Sequence, residues 1–401
     1  MSKKLGPYHS SYKVVRLYCM VKDILFYLPA SIRKKVSNQI DAKNIKKIVV
    51  SNDAHLGDVL LTLRLISYLK QAYPNAKVDF VCGDWTAPLV NLCKDIDNVI
   101  VIDHWKLNRS RISLRLKMEK YITTWRNALQ KLRTGNYDLA IDFYNRYPSM
   151  SYTFWLAGIR NIVGYTSGGG GPLLSNGLAF VSKRRHIIEY QADLLRSLGI
   201  NVSNLQNSAA NFRFKTTEET LLSINKLTAH EYIVFHIGSG EPKREWQEDK
   251  WIELARKCLK SGNKIIFTGA GKREEQIIHR ITEKISSLNV VSLCNKLTLD
   301  ELFQIIKNAR FFVGCESFAG HIAAMYHVPQ VSIMHGATIK EQWQPYGNNK
   351  CIVVRANIAC LECESPGKCK YNHRCMDISV MDVIDVIFKI DKRNSIHNNL
   401  E

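Results

Sequence analysis

The sequence is poor in acidic side chains, in proline and in long apolar runs. Its 401 residues contain 36 Asp and Glu against 56 Lys and Arg, and only 10 prolines. The hydrophobic fraction of 46% and the charged fraction of 23% are those of a folded globular protein, which excludes a disordered chain. The formal net charge of +20 predicts attraction to nucleic acid, anionic lipid or a phosphorylated glycolipid, unless it only keeps a basic surface soluble.

The N-terminal region lacks the features of an export signal and of a membrane span. No unbroken apolar core or small-residue cleavage site follows the short basic segment 1–7. Segment 14–28 is apolar only in patches, because Arg16, Lys22 and Asp23 interrupt it. It is interpreted either as an amphipathic helix on an anionic membrane surface or as a helix packed onto the protein body. We therefore expect a cytoplasmic protein that is peripheral to a membrane.

Disulfides are not expected, because a chain without an export signal stays in the reducing cytosol. Seven of the 11 cysteines are scattered, and the others form one short loop, 360–375. The cysteines of this loop are Cys360, Cys363, Cys369 and Cys375. Four thiolates suit a structural Zn²⁺ or iron site, although the later gaps differ from the usual paired spacing. A catalytic metal is not expected there, since four thiolates leave no open coordination position.

Short apolar runs alternate with segments of helical periodicity, and this alternation predicts a parallel sheet in an α/β fold. The predicted strands are 45–50, 77–82, 98–102, 138–143, 232–237, 264–268, 289–293, 311–314 and 330–334. The predicted helices are 59–69, 106–133, 251–261, 299–307 and 320–326. A polar stretch near 205–228 separates two such series. We predict a basic N-terminal arm, 1–44, and two Rossmann-like domains, 45–215 and 216–401.

The first segment that carries chemistry is the turn after the first predicted strand, which contains Gly57 and Asp58. A carboxylate on such a turn faces the edge of the sheet where α/β proteins bind ligands. Asp58 also stands where a helix begins, so it is equally well placed to cap that helix.

Two segments of the second half suit an anionic ligand. A glycine-containing loop after the strand 232–237 carries the paired cations Lys243 and Arg244, which complement a diphosphate. After the strand 311–314 comes Glu316, and a helix of small residues then begins near Gly320 and His321. The start of that helix offers free N–H donors to a phosphate, Glu316 suits ribose hydroxyls, and His321 is either a phosphate ligand or a core histidine.

These three segments in this order, with Pro329 and Trp343-Gln344-Pro345 downstream, resemble glycosyltransferase family 9, the ADP-heptose:lipopolysaccharide heptosyltransferases. The resemblance covers about residues 45–390 and includes the stretches LGDVLLTLRLISYLKQAYPNAKVDF, GIRNIVGYTSGGGGPLL and KREW. It implies a GT-B fold, in which two Rossmann-like domains face a central cleft. The acceptor is then expected on the N-terminal domain and the nucleotide sugar on the C-terminal domain.

The resemblance also implies roles for individual residues. Asp58 matches the proposed general base of the family, and Arg244 matches a residue that binds donor phosphate. The candidate donor ligands are His236, Ser239, Lys243, Arg244, Glu316, Ser317, Gly320 and His321, and the candidate acceptor ligands are His55, Arg109, Arg111 and Arg146. Two departures concern the nucleotide pocket, where Glu316 and Phe318 stand in place of the family's Asp and Gly. A third is a family glutamate after strand 264–268, which is either missing here or supplied by Glu274 or Glu275.

The resemblance implies an inverting glycosyltransferase that transfers a heptose or related sugar from a nucleotide sugar, with ADP-heptose as the expected donor. The implied acceptor is the lipopolysaccharide core at the inner membrane face. Asp58 would deprotonate the acceptor hydroxyl, while Lys243, Arg244 and the helix start near Gly320 would stabilise the leaving diphosphate. No metal or other cofactor is therefore expected for catalysis. The basic stretch 106–133 would suit an acidic glycolipid acceptor. A family member that acts on another surface glycan or a protein stays open, whereas a nucleic-acid-binding protein is disfavoured because no binding motif accompanies the charge.

Overall fold

The computed structural model describes residue 8 and residues 13–33, 45–181, 184–347, 351–363 and 369–397; the side chains of 28–33 and 391–397 are not described. The chain divides into two compact units. Unit one comprises residues 1–205 with 209–213, and unit two comprises 206–208 with 214–401. Much of the basic arm 1–44 lies outside the described residues.

Unit one is built on a six-stranded parallel sheet with the order β3-β2-β1-β4-β5-β6. Its strands are β1 (Lys47–Ser51), β2 (Lys77–Cys82), β3 (Asn98–Val101), β4 (Leu139–Asp142), β5 (Ile162–Tyr165) and β6 (Asn176–Leu178). Its helices are α1 (Lys13–Arg33), α2 (Leu56–Ala72), α3 (Ala87–Val90), α4 (Leu114–Thr134), α5 (Ser151–Leu156) and α6 (Ile187–Arg196).

Unit two repeats this plan with the order β12-β11-β10-β7-β8-β9, again all parallel. Its strands are β7 (Tyr232–His236), β8 (Lys264–Thr268), β9 (Val290–Ser292), β10 (Phe311–Cys315), β11 (Gln330–Ile333) and β12 (Cys351–Val354). Its helices are α7 (Glu218–Ile224), α8 (Glu248–Lys260), α9 (Lys272–Ile285), α10 (Leu299–Lys307), α11 (Phe318–Met325), α12 (Lys340–Trp343) and α13 (Val380–His397).

Both sheets reverse their strand order between the first and the fourth strand of the unit. This point lies between β1 and β4 in unit one, and between β7 and β10 in unit two. In open α/β sheets, ligands bind outside the carboxyl ends of the strands at such a switch point. The loops that follow these four strands are therefore where each unit is expected to carry functional groups.

The apolar runs of the sequence become strands that are buried on both faces. Ile48, Val49 and Val50 of β1 are fully buried, and so are Val331 and Ile333 of β11. Helices cover both faces of parallel sheets, so these strands read as continuous apolar runs instead of alternating ones. This burial is why the strand prediction from apolar runs succeeded for β1, β2, β7, β8, β10 and β11.

The largest error in a predicted boundary is the start of α4. The basic stretch 106–133 was expected to be helical throughout, but α4 begins only at Leu114. Ser113 caps the helix, because its side chain accepts a hydrogen bond of 3.3 Å from the backbone N–H of Leu116. Such a serine satisfies a donor that would otherwise be unpaired, and the chain before it takes non-helical angles. Arg109 and Arg111 therefore lie in the loop before α4.

Helix α1 packs onto the body of unit one through a buried carboxylate. Asp23 is fully buried and accepts hydrogen bonds from the Tyr152 hydroxyl at 2.6 Å, the Gly170 N–H at 2.7 Å and the Tyr8 hydroxyl at 3.0 Å. Phe26 packs edge-on against the ring of Tyr152. The sequence allowed this helix either to lie on a membrane surface or to pack onto the protein body. Packing onto the body is confirmed for the face that carries Asp23 and Phe26. Across the described ranges, every helix is too short or too polar to pass through a bilayer.

Candidate functional site

Three carboxyl groups meet at the switch point of unit one. Asp142 ends β4, Asp53 lies in the loop after β1, and Asp58 lies in the first turn of α2. Asp53 and Asp142 are buried, whereas Asp58 is half-buried. Of these three residues, Asp58 is thus the one that is partly exposed.

Asp58 caps α2 and also carries a perturbed pKa. Its carboxylate accepts a 3.4 Å hydrogen bond from the backbone N–H of His55. Burial raises the pKa of Asp58, while this N–H and the charges of Arg146 and Arg109 oppose the rise. A raised pKa makes the carboxylate a stronger proton acceptor once it is ionised. The capping interpretation and the base interpretation are therefore compatible in one residue.

Asp142 and Asp53 were not singled out from the sequence. Asp142 accepts hydrogen bonds from the hydroxyls of Ser51 at 3.0 Å and Ser149 at 2.9 Å and from the Met150 N–H at 2.8 Å, and burial raises its pKa to about 6. Burial, followed by the neighbouring Asp142, raises the pKa of Asp53 well above its usual range. Only their positions in the sequence could have indicated them, because Asp142 ends β4 and Asp53 follows β1.

The candidate acceptor ligands are partly brought together around Asp58. His55 precedes α2, and burial, with the charge of Arg109, lowers its pKa to about 4, so its imidazole is neutral at neutral pH. Arg109 and Arg146 both act electrostatically on Asp58. Arg111 is exposed in the loop before α4.

At the switch point of unit two, a cation is held between two partners. Arg244 lies in a 3-10 turn, Pro242–Arg244, and its Nη1 donates to Glu316 Oε1 at 2.9 Å and to Thr338 Oγ1 at 3.1 Å. The Thr338 hydroxyl in turn donates to Glu316 Oε2 at 2.7 Å. Burial raises the pKa of Glu316, and the charge of Arg244 opposes the rise. In this arrangement Glu316 orients Arg244, a role that the sequence did not suggest, and Thr338 was missed entirely.

The loop after β7 is organised by further polar contacts. His236 ends β7 with its Nδ1 3.0 Å from Thr268 Oγ1, and burial lowers its pKa to about 4. The Ser239 N–H donates to Glu245 Oε1 at 3.2 Å, and Arg273 pairs with both oxygens of the same carboxylate. Lys243 is exposed. His236 and Ser239 are therefore held in place by hydrogen bonds, whereas the Lys243 side chain is exposed to solvent.

Glu274 lies against the same loop. A methyl group added to Gly238 would collide with the Glu274 carboxylate. This carboxylate accepts a 3.0 Å hydrogen bond from the Ala270 N–H, and burial raises its pKa. Glu275 is exposed. Of the two glutamates considered after β8, Glu274 is the one at the carboxyl edge of the sheet.

The start of α11 completes this edge. Ser317 precedes the helix with extended backbone angles, and its hydroxyl is buried without a hydrogen-bond partner among the described residues. His321 is buried in the first turn, and Gly320 has no neighbour closer than 3.5 Å to the position that a Cβ would take. The Phe318 ring packs edge-on against Phe303 of α10 at 5.8 Å between centroids. The Phe318 side chain, which stands where the family has glycine, therefore packs against the core residue Phe303.

The cysteine loop lies close to two histidines that the sequence did not single out. Cys375 is buried with its Sγ 3.3 Å from His335 Nε2, and the His373 N–H donates to Cys369 Sγ at 3.4 Å. Burial raises the pKa of Cys375, and the other three loop cysteines contribute. Within the part of the chain that is described, which omits 364–368, no three or more such side chains are arranged to hold a metal ion.

A pair of aspartates two positions apart, Asp95 and Asp97, has the ligand chemistry of a divalent metal site. Asp97 instead accepts hydrogen bonds from the Val78 N–H at 2.7 Å and from Lys70 Nζ at 3.2 Å, and so joins β2 to the loop before β3. Asp95 accepts from the Asn211 side chain at 3.4 Å. The contacts of this pair are structural.

Comparison with known proteins gives consistent matches. The family model of glycosyltransferase family 9 (heptosyltransferase) matches residues 125–372. Lipopolysaccharide heptosyltransferase 3 of Escherichia coli is 22% identical over 357 residues, with 84% of this chain and 96% of the relative covered. Lipopolysaccharide heptosyltransferase 1 of Escherichia coli (strain K12) is 25% identical over 319 residues, with 78% and 95% covered.

Solved structures agree at the level of the fold. E. coli ADP-heptose lps heptosyltransferase II superposes with a TM-score of 0.68 at 18% identity, covering 87% of this chain and 99% of that one. The glycosyl transferase family 9 structure from Veillonella parvula DSM 2008 gives a TM-score of 0.70 at 21% identity, covering 88% and 99%. With the two six-stranded parallel sheets, these likenesses confirm the GT-B fold of two Rossmann-like domains.

Proposed function

Because the chain belongs to glycosyltransferase family 9 (heptosyltransferase), we propose that it transfers a heptose or a related sugar from ADP-heptose to a hydroxyl of a lipopolysaccharide core acceptor, with inversion at the anomeric carbon. The observation that carries the proposal is the contrast between the two switch points. One presents a partly exposed acidic residue, Asp58, and the other presents an oriented cation, Arg244. These are the two groups that displacement of a nucleoside diphosphate by a hydroxyl requires.

The donor side of the proposal rests on Arg244 and the start of α11. A guanidinium has five N–H donors, and the contacts to Glu316 and Thr338 use only Nη1. Its planar geometry suits a diphosphate, and the N–H groups at the start of α11 add positive potential nearby. The buried Ser317 hydroxyl is a further donor at this edge. These groups would stabilise the leaving ADP as its charge develops.

The acceptor side of the proposal rests on Asp58. In the ionised state its carboxylate would take the proton from the acceptor hydroxyl as the hydroxyl attacks. The neutral His55 and the cations Arg109 and Arg146 around Asp58 suit a phosphorylated or acidic glycolipid. Such an acceptor places the enzyme on the inner face of the cytoplasmic membrane, as a peripheral protein.

We also propose that catalysis needs no metal ion or cofactor, because Arg244 and the α11 N-terminus provide the electrostatic stabilisation of the diphosphate. A transfer rate unchanged by EDTA is expected. A rate that EDTA abolishes and Mg²⁺ or Mn²⁺ restores would contradict this part of the proposal.

The cysteine loop is proposed to hold a structural Zn²⁺ or iron ion through Cys360, Cys363, Cys369 and Cys375. The mutual proximity of these thiols to Cys375 supports the proposal. Metal analysis of protein purified without a His tag should find about one ion per chain. The Cys363→Ser variant should lose the ion and unfold at a lower temperature than the wild type. The control is Cys258→Ser, which changes a buried cysteine away from the loop and should keep the ion. Metal-free wild-type protein of unchanged stability would contradict a structural ion.

A donor panel tests the proposed function. ADP-heptose, UDP-sugars and GDP-sugars are compared for thermal stabilisation and for transfer to a lipopolysaccharide core acceptor. Preferential stabilisation by ADP-heptose and transfer from it are expected. Preference for a UDP- or GDP-sugar would mean that Glu316 and Phe318 reshape the nucleotide pocket, and ADP-heptose turnover with only a protein or another surface glycan would move the acceptor class.

A further inference from the structure

Helix α1 exposes an apolar stripe on the side away from its docking contacts. Val14, Leu17, Val21 and Ile24 follow one another at intervals of three or four residues, which places them on one helical face. All four are exposed, Val14 to 77%, and Leu25 of the same stripe is exposed to 67%. The opposite face carries the buried Asp23 that ties the helix to unit one. The stripe therefore remains open after α1 has packed.

Helix α4 carries a second stripe of this kind. Its residues Leu129 and Leu132 are buried in the core of unit one. The same stripe continues toward the start of the helix as Ile122, Met118 and Leu114, which are four residues apart, and these side chains are exposed, Leu114 to 63%. The first half of α4 thus presents apolar side chains beyond the part that the core uses.

The two helices border the same region of unit one. Tyr18 of α1 packs edge-on against Tyr147, with 5.7 Å between ring centroids. Tyr147 in turn contacts His104 at 5.9 Å, and His104 contacts Tyr121 of α4 at 4.7 Å. A continuous row of rings therefore links the two helices. We call the exposed stripes of α1 and of the first half of α4, with their basic neighbours, the apolar-basic surface.

The charges of this surface have one sign. The only acidic residue of α1 is the buried Asp23, whereas Lys13, Arg16 and Lys22 are basic. Between residues 106 and 133 the sequence contains nine Lys and Arg and a single acid, Glu119, which pairs with Arg115 at 2.9 Å. An apolar stripe flanked by cations is the pattern of helices that lie in the interface of an anionic bilayer. A protein partner with an apolar patch would not require this excess of one charge.

We propose that the apolar-basic surface docks unit one onto an anionic phospholipid bilayer, with the stripes of α1 and α4 inserted among the headgroups and acyl chains. This deepens the proposed function, on which the choice of a membrane as the occupant partly rests. It also assigns the exposed cations of the first half of α4 to lipid headgroups instead of to the acceptor. Single exposed apolar residues on a protein surface need no explanation, but two neighbouring rows of them do.

Vesicle binding by the full chain tests the proposal without any substrate. Wild-type protein is mixed with vesicles of phosphatidylcholine alone or with roughly one third phosphatidylglycerol and then sedimented. Binding to the anionic vesicles, weakened by high salt, is expected. Two variants, Leu17→Gln with Ile24→Gln and Leu114→Gln with Met118→Gln, should each lower the partition constant by about tenfold or more, because each removes two apolar side chains from the lipid contact.

A matched control is Ile224→Gln with Leu288→Gln, which removes two side chains of unit two that are exposed to 72% and 99%. This control should bind like the wild type, and all variants should unfold at the wild-type temperature since the changed side chains are exposed. A charge-reversal variant, Lys13→Glu with Arg115→Glu, should lower binding to anionic vesicles by about tenfold or more.

Three results would overturn the proposal. The first is equal binding to neutral and anionic vesicles, and the second is undiminished binding by both stripe variants. The third is an oligomer that light scattering detects in the wild type but not in the stripe variants. The last result would mean that a second copy of the chain covers the surface. Thermal stabilisation of the same variants by ADP reports separately on the donor site, so failure of the docking surface and failure of the proposed function are distinguishable.

Discussion

The two units share one strand order and differ in what they place at the same position. At the switch point of unit one stand three carboxyl groups, two of them buried and one half-buried. At the corresponding point of unit two, Glu316 and Thr338 hold the Arg244 guanidinium. The shared topology thus provides two equivalent positions, and the side chains suit the proposed proton acceptor in one and the proposed anion receptor in the other. The following experiments test that division, from the largest expected effect to the smallest.

The largest effect is expected from Asp58→Asn. The amide oxygen can still accept the His55 N–H, so the cap of α2 is retained, but the side chain no longer accepts a proton. Loss of a positioned base typically costs about 10²–10⁴-fold in rate. Initial rates of transfer should fall by that order while ADP affinity, measured by calorimetry, stays nearly unchanged.

The control for Asp58 is Asp84→Asn, which changes an exposed carboxylate that is 3.5 Å from Lys120. This variant should transfer at the wild-type rate. Substantial turnover by Asp58→Asn would remove Asp58 from the base role and leave it only as a helix cap.

In unit two, Arg244→Lys should weaken donor binding by roughly 10–100-fold, because lysine keeps the charge but not the planar set of donors that Glu316 and Thr338 orient. Calorimetric titration with ADP measures this. Lys243→Ala, in the adjacent exposed position, should change the affinity much less. Equal losses in the two variants would show that general positive charge, and not the oriented fork, binds the nucleotide.

The buried acids of unit one should be visible in the pH dependence of stability. The pKa of Asp142 is raised to about 6 in the folded state, above the value near 4 of an unfolded chain. Folding then favours the protonated form, so the contribution is complete below about pH 4 and is lost as the pH rises through 6. In wild type this costs roughly 2 kcal/mol of unfolding free energy between pH 4 and pH 8.

Urea unfolding of Asp142→Asn at several pH values checks this, because the variant should lack that part of the pH dependence whatever its absolute stability. Asp138→Asn is a suitable control, since Asp138 accepts from the Lys46 and Lys47 N–H groups at the other end of β4. A wild type and an Asp142→Asn variant with parallel pH profiles would show that folding does not raise the pKa of Asp142.

The smallest effect concerns the cations near Asp58. Arg146→Ala should raise the Michaelis constant for the acceptor several-fold and flatten its increase with salt, because it removes a charge that acts on the acceptor side. Arg126→Ala, an exposed cation of α4, should leave both unchanged. A salt response that is flat in wild type would mean that the basic charge of unit one serves only solubility or membrane docking.

Much of the fold could be predicted because its signals are local. Runs such as 77–82 and 264–268 are apolar over the length of one buried strand, and the predicted bounds match β2 and β8. The short strands β5, β6 and β12 were not predicted, because three or four residues in a glycine-containing or polar context carry no distinct periodicity. The start of α4 was placed too early, since the capping role of Ser113 depends on one hydrogen bond.

What the sequence by itself determined about this protein is the alternation of strands and helices, the excess of basic charge and the loops at which function concentrates, since each depends on residues that are neighbours in the chain. Only the tertiary structure decided which acidic residue at the switch point of unit one is partly exposed and that Glu316 orients Arg244, 72 residues away in the chain. It also decided that one face of α1 is buried and the other open. Burial and long-range hydrogen bonds set these properties, and neither exists until distant segments pack.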